Sequence, residues 1–438
     1  MKASVIVLSW NGMGDLRECL DAVCSQDFDF EIIVVDNGST DGSADFVASH
    51  YPGARLIRTE RNLGFAAGNN QGLRAGAGDV LVLLNQDTVV QAGWLKGLVE
   101  AVGSDATCGI AGGKALYPDG RIQHAGGHVD KRGCGSHYGY RQRDEGQFEQ
   151  VRDVDYVTGA TLAISRAACE AIGGLDEGFG CAYYEDVDWC YRAKEAGFRV
   201  VYTPHAVLIH KESSSAADLS REAMYHFQRN RLRFVLKHWS TERLVEEFLP
   251  AERSWLKGLD AGSERLIAAV HHAYLYHLLH LSDIIECRMS ALGTQADDVE
   301  ALATALLDLR TVVPIMLSQA SREAGPEIGR ESALVAELRS REVIREQPAR
   351  SEIPILGRIL TAFRGPWNRA VTAAYVLPMA HQQTEFNTRV VTMLEQLTQA
   401  RLRATLSEYL SEDGRELAEL AQELDQLRTL VRKKQPHD

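Results

Sequence analysis

Four short apolar runs, each followed by a helical pattern, fill the first part of the chain and leave it few folds: SVIVLS (4–9), EIIVVD (31–36), ARLIR (54–58) and DVLVLLN (79–85). Between them Leu16, Cys19, Leu20 and Val23 share one helical face. Further helical patterns run around Ala44 to Ala48, from Asn69 to Ala75, and through Trp94, Leu98 and Val102. Near-continuous apolar strands separated by helices of this length predict a mostly parallel sheet covered on both faces. Sheets of this kind bind ligands beyond the carboxyl ends of their strands. That places Asn11, Asp36, Asn37, Arg61, Asn62 and Asp87 at the expected binding edge.

Segments GIAGGKALY, YVTGATLAIS and RVVYTP add strands between 108 and 210, around a glycine- and charge-rich loop at 124–150. After about residue 240, Leu, Ala, Glu and Arg dominate and the apolar spacing turns to three and four, which predicts helices. The expected organisation is an α/β catalytic domain over 1–240 and an all-α region over 241–438. With 47 basic against 60 acidic residues, a net charge of -13, duplex nucleic acid is excluded as a partner. Eight cysteines without a C-x-x-C pair fit reduced thiols better than a disulfide framework or a structural zinc. The N-terminus reads as a strand and not as a signal peptide, and no apolar run reaches the about 18 residues of a membrane span. The expected location is the cytoplasm. Segment FRGPWNRAVTAAYVLPMAHQQ (363–383) suggests peripheral contact at the inner face of the membrane, and Leu417, Leu420, Leu424, Leu427 and Val431 suggest a homodimer seam. His277 and His280, in HHAYLYHLLH, share a face, but an amphipathic core helix explains them better than zinc.

The chemistry concentrates in a few carboxylates. Asp36 directly follows a buried strand, and Ser39, Thr40 or Asp41 in the turn after it suffices to cap the next helix. Asp36 precedes that turn, and a carboxylate there can accept the imide N–H of a uracil or thymine ring. Asp87 ends the most hydrophobic strand, where an ionised carboxylate is costly without a cation or donors to meet it. A divalent ion shared with a diphosphate is such a partner. Glu185, Asp186 and Asp188 fall in the first turn of a helix, a position that the dipole favours and that accounts for Asp188. The apolar FGCAYY before them raises carboxyl pKa values and suits general-base work. His210, ending a strand, is a possible nitrogen ligand or a structural histidine.

Taken in order, VIVLSWNG, IIVVDNGSTDGS, RNLGFAAGNNQG, VLLNQDT, VTGATLAISR, LDEGFG, YYEDVDWCYRAKEAGFRV and the strand-end His210 resemble glycosyltransferase family 2, and within it the bacterial rhamnosyltransferase-like members. The resemblance covers residues 1 to about 240. It implies the GT-A fold, an inverting mechanism, a nucleotide-diphosphate sugar donor and a glycan or lipid-linked acceptor. Residue by residue, it implies donor contacts from Ser9, Asn11, Asp36 and Asn37, and a ribose and diphosphate side shaped by Arg61, Asn62, Gly68 and Asn69. Asn85-Gln86-Asp87 stands where the family has D-x-D, so the first carboxylate is missing. Asp87, with His210 as a second ligand, would hold Mg²⁺ or Mn²⁺. Asp186 matches the catalytic base, with Glu185 beside it. Trp189 would line the acceptor side, with Gly178 and Phe179 on a nearby glycine-rich loop (173–180) free to move.

Two other enzyme classes and a scaffold compete. A dinucleotide-binding oxidoreductase needs G-x-G-x-x-G after the first strand, where SWNGMGD stands instead. A nucleotidyltransferase needs a basic phosphate loop, and residues 9–16 hold no Lys or Arg. A non-catalytic scaffold has no need of Asp87, Asp186 and His210 together.

Overall fold

The computed structural model describes residues 1–180, 182–211, 221–259 and 263–279, together with Ile284 and Arg288. The apolar runs become strands β1 (Ala3–Ser9), β2 (Phe30–Asp36), β3 (Arg55–Arg58) and β4 (Val80–Asn85), followed by β5 (Thr88–Val90) and β6 (Cys108–Leu116). Short strands β7 (Ile122–His124), β8 (Gly127–Val129), β9 (Gly135–His137) and β10 (Arg152–Asp153) follow, then β11 (Thr161–Ser165) and β12 (Arg199–His210). The main sheet runs β10-β12-β6-β11-β4-β1-β2-β3, with β5 added to β12 and β7 to β6. Strands β1 to β4 pair in parallel, whereas β11 runs antiparallel between β4 and β6. This mixed sheet with helices on both faces is the expected GT-A arrangement.

The helices are α1 (Met13–Cys24), α2 (Ser43–His50), α3 (Phe65–Ala75), α4 (Trp94–Val102), α5 (Arg166–Ile172), α6 (Glu185–Glu195) and α7 (Arg221–His238). Strand alternation divides the core between the two faces. Val5 and Val7 pack with Leu16, Leu20, Trp94 and Leu98, while Ile6 joins Leu73, Val187 and Trp189. Two glycines on one face of α3 bring it close to β1. A Cβ on Gly68 would stand 2.5 Å from Leu8, and one on Gly72 would collide with Ile6. Gly68 is thus a packing residue, a correction to its expected place on the ribose and diphosphate side.

The break in composition near 240 is not a break in packing. Leu232, Val235, Leu244, Phe248, Leu256, Val270 and Tyr274 share one core with Tyr184 and Trp189. Arg231 on α7 forms a fully buried ion pair with Glu252 of helix Leu249–Lys257, and the Tyr274 hydroxyl, from helix Glu264–Leu279, donates to the same carboxylate at 2.8 Å. The described residues belong to a compact unit spanning Met1–Leu317. The physical reason is that α7 exposes an apolar side once docked on α6, and the next helices cover it. His277 is buried and its Nε2–H donates to the Arg229 carbonyl at 2.7 Å, which is a core role. His280, segment 363–383 and the seam at 417–431 lie outside the described residues. Among the described residues no helix is long and apolar enough to cross a membrane.

Candidate active site

The register of the central strands sets one edge of the site. Ser9 is opposite Asp36 and Leu8 is opposite Asn85, so β1, β2 and β4 end side by side. Both Ser9 Oγ and Asp36 Oδ1 are buried there without a hydrogen-bond partner. Unpaired buried polar atoms cost about 1–3 kcal/mol each, so two adjacent ones at a strand edge point to a ligand that meets them. Asn11, in the left-handed region at φ 47°, ties the two strand ends together. Its N–H donates to Ser39 Oγ at 3.0 Å and its Oδ1 accepts the Thr40 N–H at 2.9 Å. Asp41, the third of the expected caps, accepts the Ser43 N–H at 3.0 Å.

Asn37 and Asn62 serve the loop itself. Asn37 Nδ2 donates to Asn62 Oδ1 and the Gly64 carbonyl at 3.0 and 3.2 Å, and its Oδ1 accepts the Leu63 N–H at 2.9 Å. Both side chains thereby hold residues 62–64 in place. Gly38, at φ 75°, is needed because a Cβ would lie 2.5 Å from the Arg61 backbone. Arg61 itself is exposed beyond this close approach. Asn69 is buried, donating from Nδ2 to the Phe65 carbonyl at 3.0 Å while its Oδ1 has no partner.

The metal-side triplet divides its labour. Gln86 acts as one rung of sheet: its Oε1 accepts the Trp10 N–H at 2.9 Å and its Nε2 donates to the Trp10 carbonyl at 3.2 Å. Gly12 leaves room for that amide, since any Cβ there would overlap it. Trp10, half exposed at 50%, is a residue that the sequence reading passed over because it sat beside Asn11 in a turn. Asp87 lies well before α4, so it caps no helix. Pairing of β12 with β5 places His210 opposite Thr88, and His210 Nε2 stands 3.2 Å from Asp87 Oδ1 and 3.5 Å from Asn85 Nδ2. One carboxylate oxygen and one imidazole nitrogen at that separation fit a shared divalent ion whose other ligands come from phosphate and water. Among the described residues no group of three or more His, Cys, Asp and Glu side chains converges on a metal position.

The acids of α6 are delivered by strained backbone. Tyr183 and Tyr184 are both left-handed, at φ 77° and 73°, an arrangement that persists only where the surroundings enforce it. The enforcement comes from α7 and from the hairpin β8–β9. Asn230 Nδ2 donates to the carbonyls of Phe179, Ala182 and Tyr183 at 2.8, 2.7 and 2.9 Å. The Tyr184 hydroxyl donates to the Gly133 carbonyl at 2.8 Å. Glu185 and Asp186 then share the first turn but not the same surroundings. Burial, with Asp186 alongside, pushes the Glu185 carboxyl up to about 8, and its Oε2 has no partner. Burial also raises Asp186, but this carboxylate accepts the Gly159 N–H and the Val187 N–H, each at 2.8 Å. Both carboxyls are thus raised, Glu185 to about 8, with Asp186 held in place by the Gly159 and Val187 N–H groups.

Asp188 and the aromatic residues play other parts than expected. Asp188 is not a solvated first-turn acid. It is fully buried and paired with Arg192, Lys237 and His238 at 2.8, 2.6 and 2.8 Å, which holds its carboxyl far below the usual range despite burial. Trp189 is fully buried, its Nε1–H donating to the Gly173 carbonyl at 2.9 Å. Phe179 is likewise buried. Both support the 173–180 loop from beneath and are corrected from acceptor contacts to packing. Only Gly178 of the three is exposed, held by its N–H on Asp176 Oδ1 at 2.8 Å. The loop is anchored, with Asp176 paired to Arg233 and Lys237 and the Leu175 N–H on Asn70.

His238 makes the α6–α7 junction sensitive to pH. Nε2 faces Asp188 and Nδ1 faces Glu195 at 2.7 Å, so both nitrogens carry protons. Burial opposes that charge, but the hydrogen bonds to Asp188 and Glu195 prevail and its pKa is raised. A raised histidine stabilises the fold fully below its unfolded pKa of about 6.5 and loses that contribution as pH rises through the folded value. Asp188 contributes above about 3.9 and loses its share as pH falls toward its depressed folded value. The junction is strongest between these limits. His238→Ala leaves Asp188 short of a partner and costs about 3–5 kcal/mol at pH 6, read as a lowered melting temperature, with a smaller difference at pH 9.

Three further residues complete the surroundings. His124 and His137 stack edge to face with ring centroids 4.7 Å apart, and His137 lies within electrostatic reach of Asp186. Gln123 accepts from both His210 and His137. In the sequence they belong to a loop rich in glycine and charge, where no periodicity marks them; Q-H adjacency was the only signal.

Residues 4–173 match the model of a family described as Glycosyl transferase family 2. The chain is similar to the uncharacterized protein y4gI of Sinorhizobium fredii, 30% identical over 260 residues, 56% of this chain and 28% of that protein. It is 32% identical over 236 residues to the O-antigen biosynthesis protein RfbC of Myxococcus xanthus, 51% of this chain and 18% of that protein. Against the N-acetylglucosaminyl-diphospho-decaprenol L-rhamnosyltransferase of Mycobacterium tuberculosis it is 30% identical over 220 residues, 44% of this chain and 71% of that protein. The match thus spans less than a third of the first two relatives.

Proposed function

Because the chain belongs to glycosyltransferase family 2, in its bacterial rhamnosyltransferase-like branch, we propose that it moves a sugar from a nucleotide-diphosphate donor to a hydroxyl of a glycan or lipid-linked acceptor in surface polysaccharide synthesis, with inversion. The donor leaning is dTDP-rhamnose, or a UDP-sugar. The observation that carries this is the pairing of buried, partnerless Ser9 Oγ and Asp36 Oδ1 at the ends of β1 and β2. A carboxylate oxygen there accepts the N3–H that uracil and thymine carry. Trp10 offers an exposed ring face next to it for the base.

The reaction is a single displacement. The acceptor oxygen attacks the anomeric carbon on the face away from the diphosphate, its proton passes to Asp186, and the bond to the diphosphate breaks. Asp186 is suited to this by burial, which raises its pKa, and by two N–H donors that fix its orientation. Glu185, protonated beside it, does not compete for the proton. Asp87 and His210 would hold Mg²⁺ or Mn²⁺, which supplies neutralisation of the charge growing on the leaving diphosphate. Calorimetry with dTDP, UDP and GDP, each with and without Mn²⁺, tests the reading. Tight, metal-assisted binding of dTDP or UDP supports it. No affinity for any diphosphate, or unchanged dTDP and UDP affinity in Asp36→Ala, removes Asp36 as the base reader.

A further inference from the structure

Gln123 has no part in the reaction as written, yet it touches two of the histidines around the site. It is buried at 6% exposure in β7, where the pairing with β6 shifts register between Ala115 and Leu116. Such irregularities re-aim side chains. Here the amide turns toward His210: Gln123 Oε1 lies 2.7 Å from His210 Nδ1. An amide oxygen only accepts, so His210 Nδ1 carries the proton. The other ring nitrogen, Nε2, faces Asp87 Oδ1 at 3.2 Å, the position from which it could join that carboxylate on a shared cation.

We infer that Gln123 is a positioning residue for the divalent ion: by accepting from Nδ1 it fixes the tautomer of His210 and presents Nε2 as a ligand beside Asp87. The inference rests on the assignment of Asp87 and His210 to the metal. It matters here because the D-x-D triplet has lost its first carboxylate, so a neutral histidine must be held ready as a ligand. The backbone of Gln123 does the same for a second ring, its carbonyl accepting from His137 Nδ1 at 3.0 Å. One residue thereby orients a ring on the metal side and a ring near Asp186.

The test is the affinity for Mn²⁺ in the presence of uridine diphosphate, read from the resonance of free Mn²⁺. Three variants are compared with the unaltered chain. Gln123→Met keeps volume and loses the acceptor, and should weaken Mn²⁺ binding by roughly 10- to 100-fold, the usual cost of a lost hydrogen bond to a metal-ligating histidine. Gln123→Glu keeps the acceptor and should retain the affinity. His210→Ala should lose it at least as fully as Gln123→Met. Loss in His210→Ala with full affinity in Gln123→Met overturns the role of Gln123 alone. Full affinity in His210→Ala overturns the metal assignment and the inference with it. If Gln123→Met does not fold, nitrogen-15 spectra of the unaltered, metal-free protein decide: His210 protonated at Nδ1 alone supports the inference, and protonation at Nε2 overturns it.

Discussion

Asp186→Asn should lower kcat by roughly 10²–10⁴-fold while donor affinity stays nearly unchanged. The amide keeps the shape and one of the two N–H contacts, since Gly159 and Val187 donate to different oxygens, but it cannot take the proton from the acceptor hydroxyl. The proposed donor subsite lies at the ends of β1, β2 and β4, on strands that do not carry Asp186. The pH profile sharpens the test. Because burial raises the Asp186 carboxyl, the acid limb of kcat in the unaltered chain should lie above the ordinary aspartate range of about 3.9. Rate is lost as pH falls through that raised value, because protonation removes the acceptor. Full turnover by the variant would move the base elsewhere, and Glu185→Gln is then the variant to measure.

Asp87→Ala should reduce transfer by at least about 10³-fold, since neutralising a leaving diphosphate is worth several kcal/mol and each 1.36 kcal/mol is tenfold in rate. The expected signature differs from that of Asp186→Asn: nucleotide affinity in Mn²⁺ should fall to its metal-free level. His210→Ala removes one ligand of two and should act in the same direction with a smaller loss. The effect is large because Asn85 and Gln86, the other members of the triplet, contribute amides. Gln86 is moreover occupied with Trp10. Near-normal activity in Asp87→Ala rules out the metal role given to it.

The strand edge was legible because its signal is local. A parallel strand covered on both faces must be an almost unbroken apolar run, so the polar residue ending it stands out, as Asp36 and Asp87 do. The same reasoning brought Asp186 forward, from carboxylates in a first helical turn after an apolar segment. It failed for Asp188 and Trp189, which share that turn. Neither burial nor ion pairing with Lys237 and His238 can be read from EDVDWC, because the partners lie some fifty residues away on α7. Asn37 and Asn62 were taken as ligand contacts for a related reason, since polar residues at a strand end serve a loop as readily as a ligand.

By itself the sequence determined the sheet and the order of the chemistry-bearing segments, since each follows from hydrophobic period or from residues close together in the chain, and those segments carried the resemblance to the family. Tertiary structure alone decided which N–H groups hold Asp186, since the Gly159 N–H comes from another element. It also decided that α7 and the helices after 240 belong to the same core, and that Gln123 reaches His210. These are contacts between residues far apart in the chain. Desolvation and hydrogen-bond partners arise only when the chain closes on itself, so no spacing rule encodes them.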